Sequence, residues 1–150
     1  MKSITVKFVA VIALAAALAS FTFKPGGEGF EIYLNGKLWV QQYGTEMNTV
    51  KTLSLDNTSP NDQLTLKYHH CGKAALNRII TIRDEKNVIL KEFSFENVAR
   101  PLSAMTIRLG DITGANKKKG TLKLYYSSTE LPKGRMLVSM KPSSKEISRL

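Results

Sequence analysis

The sequence predicts an all-β protein, an antiparallel β-sandwich of about eight or nine short strands, with a β-barrel as the alternative. Three observations support this fold class. Beyond residue 29, apolar and polar residues alternate in short runs, as expected for strands with one buried face. Clusters of Asn, Gly, Asp, Ser and Pro separate these runs. After the first 19 residues, no segment shows a sustained helical period.

The clearest element is a hairpin around Asn35-Gly36, a dipeptide that favours tight turns. A two-residue turn would place Ile32 opposite Trp39 and would mix apolar and polar side chains on both faces. A three-residue loop, with Gly36 in the left-handed conformation, would instead pair Ile32 with Leu38. We expect this second register because it separates the two faces. The polar face would then carry Glu31, Tyr33, Lys37 and Trp39.

The remaining strands follow at short intervals. Alternation and turn residues predict strands at residues 49–55, 63–69, 78–83 and 88–95. Three more strands follow, and their alternation places these residues on inner faces: Met105, Ile107, Leu109, Leu122, Leu124, Tyr126, Met136, Val138 and Met140.

The first 19 residues have the layout of a secretory signal peptide. Lys2 and Lys7 supply a positive start, residues 8–19 are apolar, and Ala17-Leu18-Ala19 places small residues where an export peptidase reads them. A retained membrane anchor is the alternative, but the uncharged stretch falls short of the ~20 residues that span a bilayer. We therefore expect a helical signal peptide at 1–19, a flexible lead at 20–29, the β-sandwich at 30–142 and a polar tail at 143–150.

Charge is distributed unevenly along the chain. The net charge is +10, yet residues 20–99 hold nine Lys or Arg and nine Asp or Glu. Residues 100–150 hold eleven Lys or Arg against three acidic residues. A positive field of this kind favours anionic partners, although it also aids solubility.

Strand alternation and a lysine-rich loop predict a basic face in this last third of the chain. Its candidate partners are anionic polysaccharide, lipid headgroups or another protein. Nucleic acid is not expected, because the face has one outward aromatic residue and because we expect the protein to be exported. A solvated surface that only discourages aggregation is the alternative. The candidate contact residues are Arg108, Lys117, Lys118, Lys119, Lys123, Tyr125 and Arg135.

His69-His70-Cys71 is the one cluster with recognised metal-ligand chemistry. If the strand continues through it, His69 and Cys71 project to one face and could begin a soft site for copper or zinc. Zinc sites use three or four protein ligands, and the chain has no further histidine or cysteine. Metal binding is therefore the alternative function, and no cofactor is otherwise expected.

No catalytic motif stands out. The chain lacks a nucleophile elbow, a histidine–glutamate zinc motif and a phosphate-binding glycine loop, so we expect a non-enzymatic protein. Trp39, with Tyr33 and Glu31, could form a sugar-stacking surface. We favour burial of Trp39 under the second sheet, because exposed tryptophan is uncommon in a monomer. Cys71, the single cysteine, cannot form an internal disulfide and lies too far from the cleavage site for a lipid anchor.

Three segments resemble small exported proteins of Bacteroidetes-type bacteria: residues 30–37, the block from 55 to 72, and residues 124–134. The resemblance covers most of the mature chain. It implies a bacterial origin and a location in the periplasm or outside the cell. It assigns no activity and no role to an individual residue.

We predict that the mature protein begins at Ser20. Mass spectrometry of protein recovered from the periplasm or medium should show the loss of residues 1–19. A full-length mass in that fraction would contradict the signal-peptide interpretation.

Overall fold

Two β-sheets form a sandwich in the computed structural model, which describes residues 27–97, 103–116 and 120–143. The predicted signal peptide, most of the lead and nearly all of the tail lie outside these residues. The described strands do not close into a barrel, so the predicted sandwich is confirmed and the barrel alternative is wrong. None of the helices in these ranges combines the length and apolar character needed to cross a membrane.

Nine strands and two short helices make up the described chain. In order they are β1 (Gly29–Leu34), β2 (Lys37–Tyr43), a 3-10 helix (Gly44–Asn48), β3 (Lys51–Ser54), β4 (Gln63–His69), β5 (Arg78–Arg83), β6 (Ile89–Phe95), β7 (Met105–Arg108), α1 (Leu109–Thr113), β8 (Leu122–Ser128) and β9 (Leu131–Lys141). The small sheet has the order β2-β1-β4-β7, and the large sheet has the order β3-β9-β8-β5-β6. Pairing is antiparallel throughout, except that β3 runs parallel to β9.

The inner faces of both sheets meet in one apolar core. Strand alternation produces it, because every second side chain points inward. The predicted inner faces of β4 and β8 are confirmed, and β5 behaves in the same way. The buried hydrophobic residues of these three strands are Leu64, Leu66, Tyr68, Ile80, Ile82, Leu122, Leu124 and Tyr126.

The first hairpin has a different register from the predicted one. Asn35 and Gly36 both adopt positive φ, at 51° and 79°, and form a two-residue turn rather than a three-residue loop. A β-bulge then leaves Trp39 unpaired, so that Ile32 lies opposite Val40 and not Leu38. The bulge, and not a three-residue loop, therefore keeps the apolar and polar side chains of this hairpin on separate faces. Trp39 is half-buried and packs against the core.

A second bulge changes which residues of β9 point inward. Val138 pairs with Leu124 and Met136 pairs with Tyr125, so Leu137 is the extra residue. Leu137 is buried, whereas Met136 is only half-buried. The predicted inward position of Met136 is therefore wrong, and Leu137 contributes to the core instead. Leu109 is buried as expected, but it begins α1 rather than extending a strand.

Substitution of Leu124 is the simplest test of the core that the two sheets share. Its side chain is completely buried, so Leu124→Ala should lower the free energy of unfolding by about 2–5 kcal/mol. Leu38→Ala is the matched control, because Leu38 is 47% exposed and its truncation should change stability by only about 0.5 kcal/mol. Urea denaturation followed by circular dichroism measures both changes. Equal losses for the two variants would contradict the described packing.

Candidate functional site

The outer face of the large sheet places two cations side by side. Arg83 on β5 lies directly opposite Lys123 on β8. Tyr125 follows on β8, and the Arg83 guanidinium lies over its ring, 4.4 Å from the ring centroid. Lys141 is exposed at the end of neighbouring β9, where it alternates with the buried Met140. We refer to Arg83, Lys123, Tyr125 and Lys141 as the cationic face.

Neutral groups hold the two central cations of this face. The Lys123 ammonium donates to the backbone oxygen of Glu85 at 3.0 Å and to Oδ1 of Asn87 at 2.8 Å. Arg83 contacts an aromatic ring, and its buried Nε has no hydrogen-bond partner among the described residues. Within the described ranges, neither cation forms a salt bridge. Both positive charges are therefore fixed in position but are not neutralised by a direct ion pair.

Two acidic residues border the cationic face, and each carboxylate accepts a hydrogen bond from a neighbouring threonine. The Glu85 carboxylate accepts a hydrogen bond from the Thr121 amide at 2.9 Å. That bond lowers the pKa of Glu85 below its usual value. Glu92 accepts from the Thr81 hydroxyl at 3.3 Å.

The seven contact residues predicted from sequence are only partly brought together. Lys123 and Tyr125 are neighbours on the cationic face. Arg108 lies instead on β7 of the small sheet, where its Nε is 3.4 Å from the Asp111 carboxylate. The predicted residues that lie outside the described ranges are Lys117, Lys118 and Lys119. The ends of their loop are described, and Asn116 donates to the Gly120 carbonyl at 2.6 Å.

Arg135 does not belong to the cationic face. It lies opposite Tyr126, whose side chain is buried, so the two point to the same side of the sheet. Its guanidinium is 3.4 Å from the Glu28 carboxylate, which also accepts the Tyr68 hydroxyl. The outward orientation predicted for Arg135 is therefore wrong, because the bulges in β9 change its alternation. Sequence reasoning also missed Arg83, whose position beside Lys123 depends on long-range pairing.

The outer face of the small sheet carries a second polar cluster. The hydroxyls of Tyr33 and Tyr43 donate to the two oxygens of the Glu31 carboxylate, each at 2.6 Å. Nε2 of His69 is 3.1 Å from the Tyr43 hydroxyl and 3.6 Å from Glu31 Oε1. The Lys67 ammonium lies over the Tyr33 ring, 4.9 Å from its centroid. Strands β2, β1 and β4 thus bring together five polar side chains from a sequence span of almost forty residues.

Hydrogen bonding sets the ionisation of this cluster. Burial alone would raise the pKa of Glu31, but the two tyrosine donors and the nearby positive charge together lower it. The hydrogen bond to Glu31 raises the pKa of Tyr33 to about 12. Burial and the same carboxylate raise the pKa of Tyr43. Glu31 is therefore held as a carboxylate between two neutral phenols near neutral pH.

Gly29 determines where the Tyr43 ring lies. It is opposite Tyr43 in the sheet, and a Cβ built on it would be 2.0 Å from Tyr43 Cδ1. The ring therefore occupies the space that a side chain at position 29 would need. This absence of a side chain is what allows the Tyr43 hydroxyl to reach Glu31 and His69.

The predicted pairing of His69 and Cys71 on one strand face is not formed. Strand β4 ends at His69, and Cys71 and Gly72 adopt positive φ in a tight turn closed by the Lys73 amide and the His70 carbonyl. Cys71 is exposed at the tip of this turn. Across the described residues, no three His, Cys, Asp or Glu side chains gather as a metal site.

His70 lies buried at one end of the core. Its Nε2 is 2.9 Å from the Tyr126 hydroxyl and 3.4 Å from Ser128 Oγ, and its ring packs against Tyr68. Burial lowers the pKa of His70, although the negative charges of Glu130 and Glu28 act in the opposite direction. Near neutral pH the buried His70 side chain is therefore uncharged, and it contributes to packing rather than to a surface site.

Comparison of the chain with models of known protein families and with curated proteins gave no match.

His70 makes stability depend on pH. Because its folded pKa is below the usual 6.5, the unfolded chain binds more protons as pH falls through that value. The free energy of unfolding should therefore decrease between pH 7 and pH 5.5. Carboxylates with lowered pKa, such as Glu31, lose their contribution only at lower pH, below their usual value of 4.5.

Urea denaturation at several pH values checks this dependence. His70→Gln should flatten the curve between pH 7 and pH 5.5, although it also lowers stability at every pH. Both proteins keep His69, so their difference isolates His70. An unchanged pH dependence in the variant would contradict the assignment.

Proposed function

We propose that this protein is an exported, non-enzymatic β-sandwich domain that binds anionic polysaccharide through its cationic face. Export is supported by the layout of residues 1–19 and by the resemblance to exported bacterial proteins. The binding role is supported most strongly by the adjacent charges of Arg83 and Lys123, which have neutral partners.

Cations on a rigid sheet that have no direct ion pair among the described residues suit a polyanion. Arg83 presents a planar guanidinium that can bind sulfate or carboxylate groups through two parallel hydrogen bonds, and Lys123 adds a point charge beside it. Neither group has to break an internal ion pair before it contacts a ligand. By contrast, Arg108 and Arg135 are already paired with Asp111 and Glu28. The excess of positive charge in residues 100–150 would add a longer-range attraction for the polyanion.

The alternative of a soft-metal site at His69 and Cys71 receives no specific support. The chain turns sharply at Cys71, and His69 is engaged with Tyr43 and Glu31 instead. We therefore do not propose a site at His69 and Cys71 as the function of this domain.

A charge-matched pair of triple variants tests the proposal. Replacing Arg83, Lys123 and Lys141 by Gln removes three charges from the cationic face. Replacing Lys37, Lys73 and Lys133 by Gln removes three exposed charges elsewhere. At ~0.2–1 kcal/mol for each exposed contact, the first variant should bind heparin roughly tenfold more weakly, and the second should change little.

Affinity is measured by titration at several salt concentrations, because exposed charges are screened over ~8 Å at physiological ionic strength. In a second set of titrations, vesicles containing phosphatidylglycerol replace heparin. Equal losses in both triple variants would mean that net charge alone matters and would contradict a site. Stronger binding to the vesicles than to heparin would identify a lipid surface, and not a polysaccharide, as the partner.

A further inference from the structure

Three donor atoms on the small sheet are close enough to share one ion. They are Glu31 Oε1 on β1, the Tyr43 hydroxyl on β2 and His69 Nε2 on β4, which we call the Glu–Tyr–His triad. The separations are 2.6 Å between the Glu31 and Tyr43 oxygens, 3.1 Å from Tyr43 to His69, and 3.6 Å from Glu31 to His69. The three strands are adjacent in the sheet, so the triad forms on a rigid support.

This triangle has the dimensions of one face of a metal coordination sphere. Imidazole nitrogen and carboxylate oxygen bind zinc at about 2.0–2.2 Å, so two ligands at angles between 90° and tetrahedral are about 2.8–3.6 Å apart. Two of the three observed separations fall within that range. The third is a hydrogen bond, and it would lengthen by a few tenths of an ångström once a metal replaced the shared proton.

Neighbouring groups hold the triad in this arrangement. Tyr33 donates to Glu31 Oε2, the oxygen that faces away from the triad, and so fixes the carboxylate plane. Gly29 allows the Tyr43 ring to lie across the strand. The side chains of His69 and Glu31 remain 21% and 16% exposed, which leaves the donors accessible to an ion from solution.

We propose that the Glu–Tyr–His triad binds a divalent transition metal, with Cu²⁺ bound more tightly than Zn²⁺. An imidazole with two oxygen donors is a ligand set that suits both ions, and the general order of affinity places Cu²⁺ above Zn²⁺. On binding, the Tyr43 hydroxyl loses its proton to water and its oxygen forms the bond to the metal. His69 then carries its ring proton on Nδ1, so that the lone pair of Nε2 forms the second bond. Remaining coordination positions are filled by water. Tyr33 acts as a positioning residue.

The proposal differs from a site at His69 and Cys71 in the residues that it requires. Cys71 is not a ligand of this site; it is exposed at the tip of the turn that follows β4. Lys67 is the nearby positive charge that opposes binding, and it lies over Tyr33 rather than within the triad. The proposal is independent of polysaccharide binding, which involves the opposite sheet.

Zinc and copper titrations of the purified protein test the site. Zn²⁺, which does not oxidise thiols, is titrated by calorimetry into the unmodified protein and into Cys71→Ser, and both should bind one equivalent with equal affinity. Cu²⁺ is titrated into Cys71→Ser and followed by electron paramagnetic resonance and visible absorption. We expect one bound ion with a tyrosinate-to-copper charge-transfer band.

Four conservative variants separate ligands from neighbours. In the Cys71→Ser background, Tyr43→Phe should abolish the charge-transfer band and, like His69→Gln, weaken Cu²⁺ binding at least tenfold. Tyr33→Phe should keep the band while weakening binding, and Tyr125→Phe, on the other sheet, should change neither. Far-ultraviolet dichroism confirms that each variant is folded. The proposal would be overturned by any of three results. Metal binding could require Cys71, the charge-transfer band could survive Tyr43→Phe, or the protein could bind no metal at all.

Discussion

Tyr68 of the small sheet and Tyr126 of the large sheet stack with ring centroids 4.3 Å apart, at one end of a continuous apolar core. The chain has a single cysteine and cannot use an internal disulfide, so its stability must come from such packing between the inner faces. Two polar groups complete this end of the interface. His70 contacts the Tyr126 hydroxyl, and Glu28 accepts the Tyr68 hydroxyl while lying 3.4 Å from Arg135. These contacts allow phenol groups to be buried with their hydrogen bonds satisfied.

Because the inner faces supply the packing, the outer faces are available for other chemistry. The two outer faces differ in character. On the large sheet, Arg83 and Lys123 keep charges that no acidic side chain among the described residues contacts directly. On the small sheet, the Glu31 carboxylate accepts hydrogen bonds from Tyr33 and Tyr43, and His69 contacts the Tyr43 hydroxyl. One face is thus suited to a polyanion and the other to a cation, and the sandwich keeps them on opposite sides.

The fold class was predictable from sequence because strand alternation is a local signal. Strands β4 and β5 have the predicted boundaries, and their inner faces follow from the period of two. The bulges at Trp39 and Leu137 were not predictable, because an extra residue is accommodated only when the partner strand and the core are present. The orientation of Arg135 was missed for the same reason. The proximity of Arg83 to Lys123, and of Glu31 to His69, depends on pairing between distant strands, which residue types alone do not reveal.

Amide chemical shifts of the isotope-labelled protein, recorded during titration with a short heparin fragment, test the central claim that the outer face of the large sheet is the contact surface. We expect perturbations centred on Arg83, Lys123, Tyr125 and Lys141, while the amides of Glu31, Tyr43 and His69 stay unchanged. Perturbations spread evenly over exposed lysines, or centred on the small sheet, would contradict it.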